Sequence, residues 1–162
     1  MRVMKKVLFV CLGNICRSPA AEGVFREMVR RAGLQDKIKI DSAGTGAWHT
    51  GEPPDARMIH HAKKRGYDLS DLEARQISAP EDFHNYDYIL TMDNSNLRNV
   101  LALDHTGEHH YKVRPLLTYC KLHTLKEVPD PYYKEEEGFE HVLDLIEDAC
   151  GELLEIIKKE VQ

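Results

Sequence analysis

The sequence has few cysteines and no long apolar run. Its 162 residues include four cysteines, too few for the disulfide scaffold of a small secreted protein. No apolar stretch approaches the length of a membrane span, and neither internal repeats nor low-complexity linkers occur. We therefore expect neither a disulfide-stapled domain, nor a membrane protein, nor a repeat array.

An excess of positive charge is also missing. The formal net charge is −5, from 22 basic and 27 acidic residues that are interspersed. Such a balance lacks the basic patch that binds nucleic acid or an anionic membrane, so we expect neither partner. Lys5 and Lys6 precede a short apolar run, but Asn14 and Arg17 follow without a cleavage pattern, and we expect no targeting segment there.

Short apolar strands alternate with amphipathic helices along the chain. The predicted strands are Val7–Val10, Ile38–Ile40, Tyr88–Met92 and one within Lys112–Leu117 that ends near Pro115. Helices are predicted after Ser18, around Met58–Ala62, from Asp93 or Asn94 through Leu101, and over Phe139–Ile157. This alternation predicts an α/β fold, with a parallel sheet between helices on both faces. We expect one domain over residues 1–162.

The loop after the first strand has the composition of an anion site. Gly13 and Asn14 tolerate the positive φ of a sharp turn, and Ser18 with Pro19 suits the start of a helix. The N–H groups of such a loop and the positive end of the helix dipole form a concave site for phosphate. Ligands of parallel sheets bind at this edge, beyond the carboxyl ends of the strands.

Cys11 and Arg17 stand at the two ends of this loop. The planar guanidinium of Arg17 can bind two phosphate oxygens. The helix dipole, Arg17 and the hydroxyl of Ser18 favour ionised sulfur at Cys11, so the pattern predicts a thiolate in line with phosphorus. By itself, a cysteine after a buried strand is more often a small core residue. No Gly-Lys-Ser/Thr follows the glycine and Cys16 completes no zinc pattern, so we expect no nucleotide P-loop, metal or cofactor.

Several further motifs accompany the segment Cys11–Ser18, which is followed by Pro19 and Glu22. They are Asp41–Thr45, Trp48 with Gly51–Asp55, Ala74–Ile77, Thr91–Asp93 and Asp130–Tyr133. In this order they resemble the low-molecular-weight protein tyrosine phosphatases over almost the whole chain. The resemblance implies a four-stranded sheet in the order 2-1-3-4. It also implies hydrolysis of phosphotyrosine and small aryl phosphates through a phosphocysteine on Cys11, with inorganic phosphate as product.

Asp130 is the candidate acid, because two flanking prolines stiffen its loop and can hold one carboxyl group in place. From this pattern alone a plain turn aspartate is the alternative. The resemblance implies that Asp130 first protonates the leaving oxygen and then activates water. Asp41, Asp55 and Asp93 compete less well, since Asp41 ends a strand and Asp93 suits a helix cap.

An aromatic rim is predicted from Trp48, Tyr132 and Tyr133, because a phosphotyrosine ring lies between apolar faces while its phosphate reaches the cysteine. Packing of a loop onto the domain is the alternative for each. The expected substrate-binding residues are Leu12, Gly13, Asn14, Ile15, Cys16, Ser18, Trp48, Tyr132 and Tyr133. Phosphotyrosine proteins are the expected partners, and we expect a monomer, with weak self-association left open.

The resemblance implies that Asn14, Ser18 and Ser42 support the loop by hydrogen bonds. Many relatives tie a histidine into this network, whereas Asp71–Glu73 contains none. Cys16 could form a disulfide with Cys11 that protects the nucleophile from irreversible oxidation, with loop packing as the alternative. A thiolate nucleophile needs a reducing compartment, so the cytoplasm is the expected location.

Histidines and a run of glutamates complete the candidates. His60–His61 and His109–His110 show no ligand spacing, and we expect them at the surface. Glu135–Glu137 is most simply a solvated face, but at the mouth of the active site it would favour less acidic peptides.

Two other functions compete with phosphatase activity. An arsenate reductase of similar fold needs a cysteine pair in a later segment, and residues 70 to 110 contain no cysteine. A non-catalytic phosphate or phosphopeptide binder is one alternative. A phosphocysteine carrier is another, but it would need neither Arg17 nor an acid that hydrolyses its own intermediate.

Overall fold

Four parallel strands form one sheet in the order β2-β1-β3-β4. In chain order they are β1 (Lys5–Cys11), β2 (Ile38–Gly44), β3 (Tyr88–Thr91) and β4 (Val113–Pro115). The computed structural model describes residues 4–132 and 135–162. The α/β class and the strand order are confirmed. The first two strands are longer than predicted, because their ladder continues to the pairing of Cys11 with Gly44.

Side chains of β1 alternate between two apolar clusters, one on each face of the sheet. The helices are α1 (Arg17–Arg31), α2 (Ala56–Lys64), α3 (Glu81–Asn85), α4 (Asn94–Leu103) and α5 (Glu136–Val161). Val7 and Phe9 pack with α1, α2 and α5, whereas Leu8 and Val10 pack with α3 and α4. Helices therefore cover both faces, as predicted. The short helix α3 was not predicted, because a five-residue helix has too few turns to show a period.

The sequence predicts capping residues for two helices, Ser18 for α1 and Asp93 or Asn94 for α4; only the second is confirmed, and the Asp55 cap of α2 was not predicted. The Asp55 carboxylate accepts from Arg57 N–H at 2.8 Å, and Asp93 forms a capping box with Asn96. The prediction that Ser18 caps α1 is wrong. This helix begins at Arg17, two residues before the predicted start at Pro19, and the Ser18 hydroxyl bonds elsewhere.

The long helix α5 buries the predicted apolar stripe from Phe139 to Ile157, including Cys150. The prediction of a surface position is wrong for His61, which is 2% exposed. It lies on the inner face of α2, while neighbouring His60 is exposed. Among the described helices, none is long and apolar enough to cross a bilayer.

Candidate active site

The loop between β1 and α1 turns sharply at the carboxyl end of the sheet. Asn14 has a φ of 59°, as expected for the turn, whereas Gly13 does not adopt this left-handed conformation. A Cβ at Gly13 would lie 3.0 Å from Cδ2 of His49, so a larger residue there would have to displace that ring slightly. Thr45 N–H and Gly46 N–H donate to the carbonyls of Cys11 and Leu12 at 2.9 Å each, which ties the start of the loop to the end of β2.

The sulfur of Cys11 lies among hydrogen-bond donors. Its Sγ is 3.0 Å from Ser18 Oγ, and Asn14 N–H donates to it at 3.3 Å. Cys11 is 3% exposed and lines a cavity of about 220 Å³. Donors directed at sulfur stabilise a thiolate, so this environment suits a nucleophile.

A buried chain of hydrogen bonds supports the loop from behind. The Nδ2 of Asn14 donates to Ser18 Oγ at 2.7 Å and to Ser42 Oγ at 2.9 Å. Ser42 Oγ in turn donates to Glu22 Oε1 at 2.6 Å, and Arg75 N–H donates to Asn14 Oδ1 at 3.0 Å. Because Ser18 Oγ accepts from Asn14, its own proton can point at the sulfur. The network connects Glu22 to Cys11 through three side chains.

Glu22 is an unusual member of this network. Burial raises its pKa to about 7, and the hydrogen bond from Ser42 opposes this rise. The neighbouring Asp71 carboxylate accepts two hydrogen bonds from Arg26, at 2.9 Å each. The carboxyl of Glu22 therefore has one neutral hydrogen-bond donor, Ser42, and no cation bonded to it among the described side chains.

Arg17 is held from one side and open on the other. It is 3% exposed, and Nη1 donates to Asp93 Oδ2 at 2.6 Å and to the carbonyl of Val128 at 3.1 Å. Nη2 lies 3.6 Å from Asp130 Oδ2. The other oxygen of Asp93, Oδ1, accepts from Asn96 N–H at 2.8 Å. One aspartate thus caps α4 and orients Arg17, a role that sequence reasoning missed because it treated Asp93 only as a cap.

Asp130 lies in the same cavity as Cys11 and Arg17. Its side chain is 46% exposed, and Oδ1 accepts from Tyr132 N–H at 3.1 Å. Val128 N–H donates to the carbonyl of Met92 at 2.7 Å, which fixes the start of this segment beside the end of β3. A partly exposed carboxyl in the same cavity as the cysteine can exchange protons with a leaving group or with water.

Residues of three segments line the cavity. They are Cys11, Leu12, Gly13, Ile15, Cys16, Arg17, Trp48, His49, Asp130 and Tyr132. Predicted Asn14 and Ser18 lie behind the loop as supports, and Tyr133 lies outside the described residues. His49 was missed, although its position beside predicted Trp48 was a usable signal.

The comparisons with known proteins agree with this geometry. The family model for low molecular weight phosphotyrosine protein phosphatase matches residues 6–162. The chain belongs to this family. Low molecular weight protein-tyrosine-phosphatase YfkJ of Bacillus subtilis is 43% identical over 162 residues, covering 98% of this chain and 99% of the relative. The phosphatase is therefore an enzyme of a hydrolase family.

Solved structures of two such proteins share the fold. The crystal structure of YfkJ has a TM-score of 0.91 with 42% identity and covers 98% of each chain. A crystal structure of a protein tyrosine phosphatase from Entamoeba histolytica, with Hepes in the active site, has a TM-score of 0.90 with 43% identity. It covers 96% of this chain and 98% of that chain.

The second cysteine of the phosphatase loop differs from the first in its surroundings. Burial raises the pKa of Cys16, and the nearby carboxylate of Asp55 adds to this. Cys120 and Cys150 belong to the core around α5. Within residues 4–132 and 135–162, no cluster of three or more side chains is arranged to hold a metal ion.

Proposed function

We propose that this phosphatase hydrolyses phosphotyrosine in proteins, and small aryl phosphates, through a phosphocysteine on Cys11. The observation that carries the proposal is the convergence of Cys11, Arg17 and Asp130 on one cavity. A nucleophile, an anion-binding fork and an acid are the parts that transfer of a phosphoryl group requires.

In the first step, the Cys11 thiolate attacks phosphorus while the bond to the tyrosine oxygen breaks. Arg17 binds two oxygens of the transferring group, with Asp93 holding Nη1 in place. The backbone N–H groups of the loop bind the remaining charge. Asp130 gives its proton to the leaving oxygen, so tyrosine departs as the neutral phenol.

In the second step, water attacks the phosphocysteine and the sulfur–phosphorus bond breaks. Asp130, now ionised, accepts a proton from this water, and inorganic phosphate leaves. The sulfur departs as a thiolate, which the Ser18 hydroxyl at 3.0 Å and the Asn14 N–H at 3.3 Å stabilise. The network behind the loop thereby assists both steps.

The rim of the cavity supports an aromatic substrate. Trp48 is 71% exposed, and Leu12 and Tyr132 are 40% and 39% exposed, so apolar side chains border the opening above Cys11. A phenyl ring fits between such faces while its phosphate descends to the loop. Phosphoserine is too short to place its phosphate at this depth and still contact the rim.

Regulation by oxidation is a further part of the proposal. Cys11 and Cys16 are both free thiols that line the same cavity. Hydrogen peroxide would oxidise the Cys11 thiolate to a sulfenic acid, and Cys16 would displace water to form a disulfide that thiols reduce again. We place the phosphatase in the cytoplasm, where a reducing environment keeps the Cys11 thiol free. We also propose that it acts as a single-domain monomer and that neither step of the hydrolysis uses a cofactor.

Hydrolysis of aryl phosphates by purified variants tests the mechanism. We expect Cys11→Ser to lose all measurable turnover, while Cys120→Ser, the control, keeps wild-type activity. We expect Asp130→Ala to lower kcat/KM, which reports formation of the phosphocysteine, by roughly a hundredfold or more with phenyl phosphate but by far less with nitrophenyl phosphate, because nitrophenolate needs little protonation. Equal activity of all variants, or an Asp130 effect independent of the leaving group, would contradict the mechanism.

A further inference from the structure

The acid segment, residues 128–132, carries a carboxyl group that is half-exposed. The Asp130 side chain is 46% exposed, and its Oδ1 accepts from Tyr132 N–H at 3.1 Å. This bond leaves Oδ2, which lies 3.6 Å from Arg17 Nη2, to exchange a proton with substrate or water. The direction of the carboxyl group therefore depends on where the backbone of Tyr132 lies.

Hydrogen bonds from two other parts of the fold hold the two ends of the acid segment. At its start, Val128 N–H donates at 2.7 Å to the carbonyl of Met92, which follows β3 directly. At its other end, the Tyr132 carbonyl accepts from Arg57 Nη2 at 3.0 Å. Arg57 belongs to the first turn of α2. The acid segment is thus bonded to the sheet at one end and to a helix at the other.

The guanidinium of Arg57 is itself fixed by a carboxylate. Asp55, the N-cap residue of α2, accepts from Arg57 Nε at 3.0 Å and from Nη2 at 2.8 Å, so the planar fork binds both carboxylate oxygens. Nη2 carries a second N–H, which reaches the Tyr132 carbonyl. The hydrogen bond from Arg57 holds the pKa of Asp55 below its ordinary value, so the pair is ionised.

The same aspartate is bonded to the cysteine loop, since Asp55 N–H donates to the carbonyl of Ile15 at 2.7 Å. A continuous series of hydrogen bonds therefore runs from this loop through Asp55, Arg57 and Tyr132 to Asp130. The series joins the part of the chain that holds the nucleophile to the part that holds the acid. It fixes the position of one relative to the other.

Two aromatic rings support the guanidinium. Its Cζ lies 4.8 Å from the centre of the Phe139 ring and 5.6 Å from the centre of the Tyr132 ring, distances at which a cation is attracted to a ring. Phe139 is 1% exposed and belongs to the core around α5. Arg57 therefore packs on a buried part of the fold, although its own side chain is half-exposed.

We propose that Arg57 is a positioning residue for the proton transfers of Asp130, because it holds Tyr132, whose N–H directs the Asp130 carboxyl group. The inference rests on the proposed function and deepens it. Arg57 is outside the set of described residues that line the cavity over Cys11. It therefore acts through Asp130 and does not touch the phosphate.

The dependence on the leaving group tests this role. In Arg57→Met the apolar stem still packs on Phe139, but the donors to Asp55 and Tyr132 are gone. We expect kcat/KM to fall roughly tenfold to a hundredfold with phenyl phosphate, because a misplaced acid transfers its proton poorly, but about threefold or less with nitrophenyl phosphate. The ratio of the two values does not depend on how much of the enzyme is folded, so a loss of stability alone leaves it unchanged.

A double-mutant cycle shows whether Arg57 acts through Asp130. Adding Arg57→Met to Asp130→Ala should change kcat/KM for phenyl phosphate by about twofold or less, because the carboxyl group that it positions is absent. Arg26→Met is the matched control. Arg26 also binds both oxygens of a carboxylate, that of Asp71, and a backbone carbonyl, that of Asp68. None of these three residues lines the cavity, so both kcat/KM values should stay near wild type.

The outcomes separate the two proposals. An equal loss with both substrates, no loss with either, or an undiminished loss in the Asp130→Ala background would overturn Arg57 as a positioning residue while the phosphatase mechanism stands. A leaving-group effect of the same size in Arg26→Met would overturn it as well. Failure of the wild-type enzyme to hydrolyse either substrate would overturn the proposed function and the inference with it.

Discussion

The cysteine loop and the acid segment face each other across the cavity but are built differently. In the loop, Asn14, Arg17 and Ser18 are at most 3% exposed, and each donates a hydrogen bond to another segment, to Ser42, Asp93 and Ala43 respectively. Asp130 has a side chain that is 46% exposed and accepts from one nearby backbone N–H. The groups that we propose to bind charge are thus fixed in advance, while the proposed proton donor is open to both substrate and water.

The largest expected effect comes from a substitution in the rigid cysteine loop. Arg17→Lys keeps the charge but removes the planar fork, so we expect kcat for nitrophenyl phosphate to fall about a hundredfold to a thousandfold. Arg26→Lys is the control, because this arginine of the same helix pairs with exposed Asp71. Steady-state kinetics measure both, and a lysine variant with near wild-type kcat would show that bidentate binding is unnecessary.

The next effect concerns Glu22, at the far end of the hydrogen-bond network behind the cysteine loop, and its contribution to stability. The pKa of Glu22 is about 7 in the folded protein against an ordinary value of 4.5, so the folded state binds this proton more tightly than the unfolded state. Its contribution is full below about pH 4.5 and is lost as the pH rises through 7, at a cost of roughly 3 kcal/mol. Glu22→Gln keeps the acceptor for Ser42 and removes this loss.

Urea unfolding across this pH range measures the difference. We expect Glu22→Gln to match wild type near pH 5 and to exceed it in free energy of unfolding near pH 8. Exposed Glu155→Gln should follow wild type throughout. Parallel curves for wild type and Glu22→Gln would show that Glu22 is ionised at no cost.

A smaller effect tests how Arg17 is held. Asp93→Asn keeps a good helix cap, but it replaces a charged acceptor of Arg17 Nη1 with a neutral one. Because a hydrogen bond to a charged group contributes about 1.5–3 kcal/mol, we expect kcat/KM to fall roughly tenfold to a hundredfold. The melting temperature should stay near that of wild type, which would separate positioning of Arg17 from loss of the cap.

The local parts of the site were predictable from the sequence, and the long-range parts were not. Cys11, Asn14 and Arg17 belong to one loop, so their spacing along the chain already limits where they lie in space. Asp93 and Arg17 are 76 residues apart, and a capping pattern does not reveal a second partner for the other carboxylate oxygen. The burial of His61 depends likewise on α5, whose Glu140 is 79 residues away.

In the fold, too, the local features were predictable from the sequence and the long-range ones were not. Alternating strands and helices predicted the parallel sheet, and the resemblance supplied its order. The strand ends escaped prediction because pairing, and not local preference, extends β2 through Asp41 and Ser42. The helix α3 escaped because five residues are too few to show a helical period.

Trapping the phosphoenzyme tests the central claim most directly. Asp130→Ala with nitrophenyl phosphate should form phosphocysteine readily and hydrolyse it slowly, since the good leaving group needs little acid while water loses its base. Rapid acid quenching followed by peptide mass spectrometry should then find one phosphoryl group on the peptide that contains Cys11, together with a burst of nitrophenol equal to the enzyme. A phosphoryl group on another residue, or steady nitrophenol release with unmodified Cys11, would contradict the account.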